Sequence, residues 1–69
     1  MKLSARNQLK GRVVEVKNGA VMSSVKIDIG GGNTVTAFIG KESVEDLGLK
    51  VGDNAVAIIK STEVIVGKE

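Results

Sequence analysis

Between residues 8 and 39 the apolar side chains recur mostly at every second position, and an Asn-Gly pair and a triple glycine interrupt the pattern. A period of two belongs to a β-strand with one face buried, so this chain is committed to a sheet. Val14 and Val16 alternate with Glu15 and Lys17, whereas Leu9, Gly11 and Val13 occupy the opposite parity. The phase slips at Val13-Val14, which predicts a bulge or a sharp bend in the first strand, with Gly11 as a place for the bend.

Asn18-Gly19 follows and predicts a tight hairpin turn with positive φ at both positions. The second strand reads AVMSSVKIDI, with Val21, Val25, Ile27 and Ile29 on one face. Gly30-Gly31-Gly32-Asn33 makes the next turn. TVTAFI then places Val35, Ala37 and Ile39 opposite Thr34, Thr36 and Phe38. At Gly40 the period changes. KESVEDLGL spaces Val44 and Leu47 three apart, with Gly48 placed for a left-handed helix end, so Lys41 to Leu47 is expected to be helical. LKVGD turns the chain into a fourth strand, AVAIIK, and Glu63 to Val66 is expected to form a fifth. Three strands, one short helix and two strands predict a mainly β fold: a five-stranded OB-like Greek-key barrel with one short helix between strands three and four, as a single domain over residues 1–69.

Sixty-nine residues make a marginal core, because so short a chain buries only about 60% of its unfolded surface. Such domains are held together by disulfides, a metal or other subunits. With no Cys and no His, the first two are removed and association remains. The 42% hydrophobic content suits burial between subunits. No apolar run reaches the roughly 18 residues of a membrane helix, and the start lacks a signal-peptide apolar region, so a soluble cytoplasmic protein is expected.

The residue inventory also bears on chemistry. Without His, Cys, Tyr or Trp, most general acids, bases and nucleophiles are missing, and an enzyme is not expected. The triple glycine lacks the Gly-Lys-Ser/Thr continuation of a phosphate loop and reads as a turn. Glu42, Glu45 and Asp46 read as the wet face of the helix and not as a metal cluster. The alternative function for such a fold is a nucleic-acid-binding module. That reading wants a basic groove with aromatic platforms, whereas this chain has Phe38 alone and a net charge of +2.

What remains is oxyanion chemistry. In extended backbone Ser4 and Arg6 share a side, and so do Lys60 and Thr62. Each segment offers a cation and a hydroxyl. Ser43, at the strand-to-helix junction after Gly40, adds a donor where unpaired N–H groups gather. Taken by spacing alone, these residues read first as an ordinary solvated surface, and Ser43 as a cap of the first helical turn.

SARNQLKGRV, IGKESVEDLGLKVGD and AIIKSTEVIV together resemble the molbindins, small molybdate-binding proteins whose module also occurs in molybdate-responsive regulators and transporter ATPases. The resemblance covers essentially the whole chain. It implies an OB-like barrel assembled as a hexamer, a trimer of dimers, with molybdate or tungstate held between subunits for storage and homeostasis. It implies oxyanion ligands at Ser4, Arg6, Lys60 and Ser61, with Thr62 at a matching hydroxyl position. Ser43 and the backbone N–H of Gly40 would be supplied by a neighbouring chain. Some relatives carry a hydroxyl residue where Gly40 stands. A bound pterin is not expected, for want of an aromatic cage. Nucleic-acid and membrane partners are not expected.

Overall fold

The computed structural model describes residues 2–69. β1 (Asn7–Asn18), β2 (Met22–Gly30) and β3 (Asn33–Gly40) form an antiparallel meander, followed by α1 (Lys41–Leu47) and β4 (Asn54–Ile59). One curled four-stranded sheet results, in the order β3-β2-β1-β4. β1 is the longest strand at 12 residues and pairs with both β2 and β4.

The phase slip in β1 is a real bulge. Val13 pairs with Ile27, and the next partner pair is Glu15 with Lys26, so Val14 is the extra residue. It is left 41% exposed while Val13 becomes wholly buried. The turn before β4 seals the bulge: Val13 N–H donates to the Asp53 carbonyl at 2.9 Å, and Gly52 N–H donates to the Val13 carbonyl at 2.8 Å. Both backbone groups of a buried residue are thereby satisfied. Gly11 is required by close approach and not by a bend, because a Cβ there would stand 2.3 Å from the Asp28 carbonyl oxygen.

The two hairpins differ. Gly31 and Gly32 have φ of 64° and 78°, the paired positive values that a two-residue turn demands, and Gly30 faces Asn33. Asn18-Gly19 makes no such turn. Neither residue has positive φ, and the connection spans Gly19–Val21. Ser23 Oγ instead donates to Asn18 Oδ1 at 3.2 Å across the hairpin base. Val21, expected on the buried face, lies in that connection and is 75% exposed.

Val13, Val25, Ile27, Val44 and Ala57 form the core. Val44 docks α1 onto the sheet, and Gly48 ends the helix in the left-handed region at φ 62°. Leu47, expected beside Val44, points into solvent, because only one side of so short a helix meets the sheet.

Among the described residues four strands form, where the sequence predicts a five-stranded OB-like Greek-key barrel. After β4 the chain makes a single 3-10 turn over Ser61–Glu63 that carries it off the sheet. Val64 is extended (φ −87°, ψ 125°), but the residues after it find no strand to pair with. Strand propensity without an available edge gives an extended segment, not a ladder.

Candidate functional site

Antiparallel pairing of β1 with β4 sets Asn7 against Ile59. The residues before Asn7 and those after Ile59 therefore leave the sheet side by side. Ser4, Ala5 and Arg6 face Lys60, Ser61 and Thr62 across an open cavity of about 210 Å³. Both members of each cation-plus-hydroxyl segment thus meet at one corner of the sheet. The 3-10 turn starts at Ser61, with Glu63 N–H donating to the Lys60 carbonyl at 2.9 Å. That geometry leaves the N–H groups of Ser61 and Thr62 without a partner inside the turn.

The electrostatics of the corner are one-sided. Glu15 bridges Lys17 at 3.1 Å and Lys26 at 3.3 Å, and Lys50 pairs with Asp53 at 3.3 Å. Among the described residues Arg6 and Lys60 carry no such salt bridge. Two exposed cations, three hydroxyls and free N–H groups converge with no carboxylate on the cavity lining. A tetrahedral dianion would satisfy this donor set. Charge-assisted hydrogen bonds of this kind contribute about 1.5–3 kcal/mol each.

Gly40 and Ser43 do not reach this corner. β3 and β4 are opposite edges of the sheet, and Gly40 pairs with Met22 at the end remote from Asn7. The strand-to-helix junction and the cavity therefore occupy diagonal corners of one chain. Lys41 N–H donates to the Val21 carbonyl at 2.8 Å, so the backbone after Gly40 is already engaged.

A broader depression of about 340 Å³ lies over the β1–β4 pair, lined by Lys10, Gly11, Asn54, Ala55 and Val56. It offers one cation and no hydroxyl, a poorer set for an oxyanion. Among the described residues no three acids, thiols or imidazoles come together to hold a metal ion. No helix among them is long and apolar enough to cross a membrane.

Sequence reasoning missed three participants at the corner. Ala5 lines the cavity. Asn7 Nδ2 donates to the Ile59 carbonyl at 3.2 Å, and Gln8 Nε2 donates to the Ala5 carbonyl at 3.1 Å. The signal available was their position, flanking the arginine at the start of the first strand.

A curled sheet with one short helix and a cationic corner defines a small β-sheet module of the OB-like kind. The family model of the TOBE domain matches residues 3–66. A probable molybdenum-pterin-binding protein of Haemophilus influenzae is 55% identical over 69 residues, covering all of both chains. Among solved structures, MopII from Clostridium pasteurianum superposes with a TM-score of 0.91 at 48% identity, covering 97% of this chain and 100% of that one. The cytoplasmic molybdate-binding protein ModG, with molybdate bound, superposes at 0.90 and 45% identity, covering 94% of this chain and 46% of ModG. The chain belongs to the TOBE domain family and, within it, to the molbindins, the family of molybdenum-pterin-binding proteins.

Proposed function

We propose that this protein binds molybdate, or its close analogue tungstate, as an intact oxyanion at sites shared between subunits of a homo-oligomer. Its role is storage and homeostasis in the cytoplasm, without catalysis. The observation that carries the reading is the shared cavity of Ser4 and Arg6 with Lys60, Ser61 and Thr62. The molybdate-bound ModG structure supports the choice of ligand.

Two features support a shared site. Gly40 and Ser43 stand at the corner diagonal to the cavity, so a cage that uses them needs a second chain. Among the described residues eleven large apolar side chains are exposed, Ile65 at 94% and Val66 at 86% among them, against a core of five buried hydrophobic residues. Burying such surface contributes about 25 cal/mol per Å². The unpaired edges of β3 and β4 supply backbone partners as well. A hexamer built as a trimer of dimers fits these demands.

Four or five charge-assisted bonds, less ordering and desolvation, leave roughly micromolar affinity, about 8 kcal/mol. Sulfate has the same charge and shape but is smaller. A cage of short hydroxyl and backbone donors set for molybdate under-coordinates it. The test is a calorimetric competition between the two anions: the reading expects molybdate to displace sulfate freely, and equal affinities would overturn the selectivity.

A further inference from the structure

Two side-chain hydrogen bonds hold the arms of the corner cavity without lining it. Asn7 Nδ2 donates to the Ile59 carbonyl at 3.2 Å, joining residues 52 positions apart, and Asn7 is half-buried. Gln8 Nε2 donates to the Ala5 carbonyl at 3.1 Å. Asn7 directly follows Arg6, and Ile59 directly precedes Lys60. The first bond thus ties together the two backbones that carry the cations. The second folds the Ser4–Arg6 arm back onto the strand that follows it.

The corner needs such ties. It lies where β1 begins and β4 ends, and strand ends open locally at low cost. Two like charges with no carboxylate between them repel and favour that opening.

We propose that Asn7, supported by Gln8, is a positioning residue of the oxyanion pocket, fixing the separation of the Arg6 and Lys60 arms before the anion arrives. The proposal rests on the oxyanion reading of this cavity. Its consequence follows from linkage: apparent affinity falls by the fraction of molecules whose arms are correctly placed. Loss of one net hydrogen bond at this point lowers that fraction by about tenfold at most.

The test is a double-mutant cycle read by molybdate titration of the full chain in its native assembly, using Asn7→Leu, Arg6→Lys and the pair. Asn7→Leu removes the donor at similar size. It is expected to weaken molybdate binding by about fivefold to tenfold in the wild-type background. In the Arg6→Lys background the factor is expected to shrink to about twofold, because the fork that Asn7 positions is gone. A residue that only stabilises the fold would produce no such coupling. Wild-type affinity in Asn7→Leu, or an identical factor in both backgrounds, overturns the proposal. If Asn7→Leu does not fold, Gln8→Ala removes the exposed tie alone. It is expected to weaken binding by about twofold to threefold, and no change overturns the proposal. Wild-type protein that fails to bind molybdate overturns the functional reading itself, whereas binding wild type with an indifferent Asn7→Leu overturns the positioning role alone.

Discussion

Arg6 and Lys60 line one open cavity although they stand near opposite ends of the chain. The pairing of Asn7 with Ile59 brings them there, since it makes the start of β1 and the end of β4 neighbours. Both side chains are exposed and neither has a carboxylate partner among the described residues, so their removal costs the fold little. Arg6→Ala and Lys60→Ala are each expected to weaken molybdate binding by about ten- to a hundredfold, the worth of one charge-assisted contact. Thermal midpoints should stay within a few degrees of wild type. Normal binding by either variant would remove that residue from the site.

Ile65 is the most exposed large apolar side chain among the described residues, at 94%, and follows an extended residue that pairs with no strand. In the proposed assembly this segment is covered by another subunit. Ile65→Asp should therefore shift native mass spectra toward smaller species and lower the thermal midpoint in a concentration-dependent way. An unchanged oligomer would show that the tail is not part of the contact.

Gly11→Ala tests the reason for that glycine. The added methyl would sit 2.3 Å from the Asp28 carbonyl oxygen and 2.7 Å from Ile27 Cγ2, so β1 and β2 must separate. Overpacking of this kind costs about 1–3 kcal/mol. For a domain of this size that lowers the midpoint by roughly 4–8 °C per kcal/mol. A midpoint equal to wild type would contradict the close approach.

Much of this architecture was legible in the residues. The slip at Val13-Val14, the glycine turn after Ile29 and the helix ending at Gly48 each follow from local sterics, which the sequence displays. The failures arose where local preference met distant geometry. Asn18-Gly19 carries a strong turn signal, yet the bonding of Ser23 to Asn18 and the span to Met22 impose another loop. Val64 to Val66 reads as a strand, but a strand exists only beside a free edge it can reach. At the site, the alternation rule paired Ser4 with Arg6 and Lys60 with Thr62. Only the ladder register could join the two pairs. The part played by Asn7 was invisible because its acceptor lies 52 residues away.

Acid should weaken the fold through Glu15, which follows the bulge in β1. The Lys17 ammonium first, and then that of Lys26, hold its carboxyl below the ordinary value of 4.5. A lowered folded-state value means that the ionised form is favoured by folding. The stabilisation is present above the ordinary value and is lost as pH falls through the folded-state value. The difference in denaturation midpoint between wild type and Glu15→Gln should therefore be constant near neutrality and close on acidification below about pH 4.5. A gap that stays open in acid would show that these ion pairs contribute nothing to it.

Isothermal titration of the purified protein with molybdate, with sulfate as control and native mass spectra of the same sample, tests the central claim most directly. The account predicts tight molybdate binding by a hexamer, with sulfate giving little or no heat and with a fixed number of anions per subunit. Absence of molybdate heat from a correctly folded protein, or a monomer that binds both anions alike, would contradict it.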